Sequence, residues 1–235
     1  MSDEKNSKSN IKIEEMFKVG AHFGYPKSRR HVSTGPYIFG AKNKVEIINL
    51  EKTAELLEKA CDFVTSIAKE DKQILFVSGK NEAKNIISMN ASSINMPNVA
   101  GRWIGGALTN FPEIKKRIAK YEDLLNQKEK GELSKYTKKE RLMIDRQIDK
   151  LEKMFAGITN MKEMPKAVFL VDPKKESIVV LEAQKMGIPV IALANSDCDV
   201  STIEYPIVAN DSAVSSISYF VGEIMKAYKA GKLVK

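Results

Sequence analysis

The chain reads as a three-layer α/β protein, a parallel central sheet with helices on both faces, from which an antiparallel pair of helices protrudes. Three observations predict this. Short apolar runs alternate with amphipathic stretches on both sides of residues 101–112, the rhythm of parallel strands joined by crossover helices. Between the two halves lies a charged stretch, 112–155, whose apolar residues form narrow stripes at helical spacing. The joint between these parts is Gly101-Arg-Trp-Ile-Gly-Gly-Ala-Leu-Thr-Asn-Phe-Pro112, with three glycines in six residues and the chain's only tryptophan. Local chemistry there leaves two readings open: a structural turn with Trp103 in the core, or a flat surface facing something anionic.

In chain order, residues 1–10 are polar and are expected to be a disordered tail. Ile13, Met16 and Phe17 offer a short apolar face that ends at Gly20. The most one-sided charge segment follows. No acid lies between Glu15 and Glu46, yet Lys18, Lys27, Arg29, Arg30, Lys42 and Lys44 do. Gly24, Pro26, Gly35, Pro36 and Gly40 mark it as loop-rich, and Phe23, Tyr25, Tyr37 and Phe39 interleave rings with the cations. A loop-borne cation run without counter-charges suits phosphate contacts better than a merely solvated face.

The α/β rhythm is expected to begin with a strand at Val45–Ile48, then a helix from about Glu51 to Ala68. Gln73–Val77, continuously apolar from Ile74, reads as a buried parallel strand, with a helix from about Asn81 to Ser92 after it. Beyond residue 155 the predicted elements are a strand at Ala167–Val171, a helix at Ser177–Met186 closed by Gly187, a strand at Pro189–Leu193, a short strand at Ile207–Val208, and a helix from Ser212 to Tyr228. The sheet is expected to be Rossmann-like or flavodoxin-like. The α/β domain takes up 11–111 and 156–235, with the hairpin of 112–155 inserted.

Within the insert, Pro112 suits a first helical turn, where its missing N–H costs little. Ile114, Ile118, Tyr121 and Leu125 form one stripe; Ile144, Ile148, Leu151 and Phe155 repeat its spacing. Gly131 breaks the first helix and Thr137-Lys-Lys-Glu140 is a capping box opening the second. Matched seams predict an antiparallel coiled-coil hairpin, each arm reaching roughly 28 Å. It carries thirteen Lys and Arg against nine Asp and Glu, and it is expected to dock partners rather than to support the fold.

Forty-three per cent apolar and 29% charged residues describe a globular chain, and a net charge of +8 favours an anionic partner, nucleic acid before membrane. No run is long enough for a membrane span. Cys61 and Cys198 form no paired framework, which fits a reducing cytosol. Catalytic and nucleotide-binding machinery is not evident. Ser78-Gly79-Lys80-Asn81 lacks the upstream glycine and the following Ser or Thr of a phosphate loop. Gly101, Gly105 and Gly106 do not have dinucleotide spacing. His22 reads as structural, His31 as a phosphate or ribose contact, and Asp197-Cys198-Asp199 as a polar loop. No cofactor, metal, membrane or small-molecule substrate is expected. The competing reading, a free-standing α/β enzyme or nucleotide switch, lacks such means.

Several stretches resemble the bacterial small-subunit ribosomal protein S2 family: Gly20-Ala-His-Phe-Gly24, Ile38 to Thr53, Arg102 to Phe111, Thr137-Lys-Lys-Glu140, Leu151-Glu-Lys and Gly187-Ile-Pro-Val190. They occur in the family's order over about residues 13–228. The resemblance implies a three-layer domain with a coiled-coil hairpin, bound to small-subunit rRNA at the head–body junction. It also implies neighbouring ribosomal proteins as partners, among them the large mRNA-binding one, and a cytoplasmic location. Two positions depart from the family's pattern: Tyr25 stands where relatives carry histidine, and Asn195 where they carry aspartate. A metal held near those positions in relatives is therefore not assigned here. The expected rRNA contacts are Lys27, Arg29, Arg30, His31, Lys42, Lys44, Arg102, Lys115, Lys116, Lys138 and Lys139. Trp103, with Gly105, Gly106 and His22, is expected to serve packing.

Overall fold

The computed structural model describes residues 12–233; the expected N-terminal tail, 1–10, lies outside the described residues. Its centre is a five-stranded parallel sheet built from β4 (Ile74–Ser78), β5 (Asn98–Ala100), β6 (Ala167–Val171), β7 (Val190–Ala194) and β8 (Tyr205–Val208), in the order β5-β4-β6-β7-β8. With β4 taken first this is the flavodoxin-like order. Strands β4, β6 and β7 are buried along their whole length, which is why they read as unbroken apolar runs. Pro206, which cannot donate to a ladder, sits in β8, an edge strand where this is tolerated.

Side-chain alternation divides the core in two. Ile74, Phe76, Phe169, Ile191 and Leu193 face one layer, made by α2 (Leu50–Lys69), α3 (Asn81–Ser93) and α7 (Val214–Leu233). Helix α1 (residues 12–18) adds Met16 to that layer. Between α2 and α7 the backbones come so close that a Cβ at Gly231 would collide with Ala68 and Thr65, so the contact admits only glycine. Leu75, Val77, Val168, Leu170 and Ala192 face the other layer, made by α6 (Ser177–Lys185) and the residues of the joint.

The inserted helices complete this second layer. α4 (Phe111–Glu129) and α5 (Lys138–Phe155) pair antiparallel: Tyr121 lies near Glu152, and Lys128 Nζ is 2.8 Å from Asp145 Oδ1. Pro112 falls in the first turn, Gly131 takes a left-handed φ, and Thr137 and Glu140 cap each other's backbone. Phe111, Ile114, Ile118, Tyr121, Ile148, Leu151 and Phe155 belong to the same buried cluster as the sheet's second face. Leu125 and Ile144, further out, are only partly buried against it. The proximal half of the pair is thus continuous with the core.

Three strands lie outside the parallel sheet. β1 (Phe23–Pro26), β2 (Ile38–Lys42) and β3 (Val45–Ile48) form an antiparallel sheet in the order β1-β3-β2. The expected strand at Val45–Ile48 exists but does not begin the parallel sheet, and segments 23–26 and 38–42, read as loops, are strands. Asn43 and Lys44 both take positive φ in the two-residue turn between β2 and β3, a type I′ hairpin that asparagine accommodates. This signal was available in Lys42-Asn-Lys-Val45, but the surrounding Gly and Pro masked it.

Candidate nucleic-acid interface and the joint behind it

The antiparallel sheet is fixed to the C-terminal end of the parallel one by hydrogen bonds centred on Ser196 and by Ile48, which packs against Ala194 and Val208. Ser196, fully buried after β7, accepts from Tyr25 N at Oγ (2.9 Å), and its carbonyl accepts from His31 N (2.9 Å) and Thr34 Oγ1 (2.8 Å). Thr34, fully buried, donates inward here, while Thr53 Oγ1 holds the Val208 carbonyl at 2.7 Å. The cation-bearing segment is therefore rigidly placed.

Along that segment Lys27, Arg29, Lys42 and Lys44 are exposed, and none has an ion-pair partner among the described residues. The Arg29 guanidinium lies 5.6 Å from the Tyr25 ring centroid, which orients it. Arg30 is placed differently: its Nη1 is 3.2 Å from Oε1 of Glu46, a carboxylate buried on β3. The segment carries no acid of its own, yet the pairing of β1 with β3 brings one beneath it, and Arg30 neutralises that acid. His31 Nδ1 lies 2.8 Å from Ser33 Oγ and 3.7 Å from Asp199 Oδ1, so it too is engaged within the protein.

His22 is stacked on Phe17 (4.4 Å between centroids) and tilted against Phe23 (4.0 Å). Burial lowers its pKa, which keeps the imidazole neutral between the rings. The hairpin cations are exposed. Lys115 lies over the Phe111 ring, Lys116 pairs with Glu113 at 3.2 Å, and Lys138 and Lys139 open α5. Contacts thus place three groups of cations on different elements: the antiparallel sheet, the joint and the helical pair.

The joint is organised by a residue that sequence reasoning missed. Glu182, buried on α6, accepts from Trp103 Nε1 (3.1 Å) and Gly106 N (2.8 Å) at Oε1. Its Oε2 accepts from Leu108 N (3.1 Å), Thr109 N (3.2 Å) and Thr109 Oγ1 (3.3 Å). Gly106 has φ +89, which turns its N–H onto the carboxylate; Gly105 is exposed beside it. Burial opposes ionisation of Glu182, but these donors outweigh it and hold the carboxyl below the usual carboxylate range. Trp103 is 8% exposed and belongs to the second core cluster, while Arg102 is exposed. The signal for Glu182 in the sequence was one acid inside the apolar run Ile178–Ala183.

Open α/β sheets take ligands at the C-terminal strand ends, where the strand order reverses. Here, between β4 and β6, that crevice is filled by the protein's own charges. Lys80 Nζ lies 3.0 Å from Asp172 Oδ2 and 2.6 Å from Asp211 Oδ2. Burial disfavours the ammonium, but Asp211 and Asp172 outweigh it and raise its pKa. Asp172, Cys198 and Asp211 could converge on a cation, but the group does not suit one. Lys80 already neutralises both carboxylates, and Asn195 Nδ2 turns a donor toward Asp211 Oδ1 at 3.0 Å. Burial and the neighbouring acids push the Cys198 thiol up, away from the thiolate a metal requires. Tyr25 Oη is occupied with Ser212 Oγ at 3.0 Å.

Fold and site together define a basic α/β protein whose ligand crevice is closed from within, with an antiparallel sheet and a helical pair carrying its exposed cations. The profile of the family described as ribosomal protein S2 matches residues 16–231. The chain is 39% identical over 222 residues to small ribosomal subunit protein uS2 of Coprothermobacter proteolyticus, covering 94% of this chain and 83% of that one. The uS2 of Sulfurimonas denitrificans is 40% identical over 225 residues (96% and 87% covered), and that of Chloroherpeton thalassium 42% over 219 (93% and 88%). The chain belongs to the ribosomal protein S2 family, a structural and non-enzymatic one.

Proposed function

We propose that the protein is a structural constituent of the small ribosomal subunit in the cytoplasm. The antiparallel sheet would be seated on rRNA phosphates through Lys27, Arg29, Lys42 and Lys44, with Arg102, Lys115, Lys116, Lys138 and Lys139 as further contacts. The supporting observation is the set of four exposed cations without acid partners among the described residues, carried on the turn after β1 and on the β2–β3 hairpin, which Ser196 and Thr34 fix to the core. Phosphate-facing cations of this kind position a protein on RNA without reading sequence. Arg30 contributes by neutralising Glu46 rather than by direct contact. The hairpin, where Lys116 and Lys128 are paired with acids, suits neighbouring small-subunit proteins as well as RNA. Read with the family resemblance, the large mRNA-binding protein would be one of those neighbours, and the site would lie near the head–body junction.

Sucrose-gradient fractionation of an extract carrying the tagged chain tests this. The protein should travel with small subunits. A variant with Lys27, Arg29, Lys42 and Lys44 changed to alanine should move to the light fractions with an unchanged melting temperature. Wild-type protein found only in the light fractions would overturn the reading.

A further inference from the structure

We propose that the cleft between α3, the end of β5 and the base of α5 receives a single unpaired nucleotide of RNA, a base turned out of its helix together with its phosphate. This rests on the RNA-binding reading above. The cleft encloses about 360 Å³, within the roughly 300–1,000 Å³ of small-ligand sites and too small to admit a duplex.

Its charge fits a phosphate. Lys84 from α3, Arg102 from the joint and Lys153 from α5 converge on it, against one carboxylate, Glu152. None of the three cations is ion-paired among the described residues. The rest of the lining fits a base. The Asn85 and Asn98 carboxamides and the Ser88 hydroxyl supply donors and acceptors together, as base edges require and an acidic side chain would not. No aromatic ring lines the cleft, so the planar Arg102 guanidinium is the group on which a base stacks.

The backbone contributes too. β5 joins β4 through the Pro97 carbonyl and the Gly101 N–H, so strand alternation turns the Asn98 and Ala100 peptide groups away from β4. Gly157 packs directly on the Asn98 carbonyl. Ala100 is left facing the cleft, a free edge position beside the cations.

The test uses the full chain and two RNAs, a short duplex with one bulged adenosine and the same duplex fully paired, followed by fluorescence anisotropy across a salt series. Wild-type protein should prefer the bulged RNA by about tenfold, the effect of one or two well-made hydrogen bonds. Lys84→Ala with Lys153→Ala, both exposed, should abolish the preference and lower the salt slope on bulged RNA by about one. Asn85→Ala should reduce the preference and leave the slope alone. Equal wild-type affinity for the two RNAs, or a preference that survives the double variant, would overturn the cleft assignment alone. Failure to bind either RNA would overturn the RNA reading and this inference with it.

Discussion

Glu182 occupies the sixth position of a helix that is otherwise apolar over Ile178–Ala183, and five donors from residues 103–109 close on its carboxylate. Removing it strands buried N–H groups, and stranded donors cost more than a made bond returns. Glu182→Gln keeps the shape but replaces one accepting oxygen with a donor facing other donors. It should lower stability near neutral pH by about 2–4 kcal/mol, or roughly 5–10 °C in Tm for a chain of this size. The sign with pH follows from the depressed carboxyl. Its stabilisation is complete above the ordinary value of 4.5 and is lost as pH falls through the lower folded value. The Tm gap between wild type and Glu182→Gln should therefore narrow below about pH 4.5. A gap constant from pH 7 to 3.5, read by calorimetry, would show that the charge is not what holds the joint. Little of this was legible in the sequence. Trp103 and the glycines announced a special loop, but its partner lies 73–79 residues away, and no local pattern encodes such a pairing. Arg30 shows the same limit: its partner, Glu46, is brought in by the pairing of β1 with β3.

At the scale of elements, local chemistry was the more readable layer. Pro112, Gly131 and the Thr137–Glu140 box are each sufficient to punctuate a helix, and they bound α4 and α5 within a residue or two of where the chain turns. Apolar runs located the buried strands for an equally local reason. Pairing was not readable, because Val45–Ile48 has the same β-branched content whether its neighbours are parallel or antiparallel. Nor did the stripes on the inserted helices reveal that their inner halves cover the sheet. Ile114, Ile118, Tyr121, Ile148, Leu151 and Phe155 are all buried in the second core cluster. We propose that only the part beyond Tyr121 and before Ile148 is dispensable for folding. Replacing residues 122–147 with a short Gly/Ser turn should leave one cooperative urea transition. Removing 112–155 entirely should abolish cooperativity, since it uncovers Leu75, Val77, Val168 and Leu170. Equal behaviour of the two deletions would return the boundary to Pro112.

At the scale of the whole molecule, a net charge of +8 says that an anion is wanted but not which face meets it; the ion pairs narrow the choice. On the antiparallel sheet and the turn after β1, Lys27, Arg29, Lys42 and Lys44 have no acid partner among the described residues. On the helical pair, Lys116 lies 3.2 Å from Glu113 and Lys128 2.8 Å from Asp145, so part of the positive charge is neutralised locally. Unpaired cations release counterions from RNA on binding, whereas paired ones must first leave their acids. Neutralising the four sheet cations to glutamine should therefore lower the slope of log K against log salt, on a small-subunit rRNA fragment, by about three to four. The same change at Lys115, Lys116, Lys138 and Lys139, of which Lys116 is held by Glu113, should lower it by less, and should instead reduce incorporation into subunits that already carry their neighbouring proteins. Equal losses of slope would make the hairpin a second RNA-gripping surface. A larger loss from the hairpin set would move the main RNA contact off the antiparallel sheet. The sheet's rigid attachment at Ser196 would then serve folding and not binding.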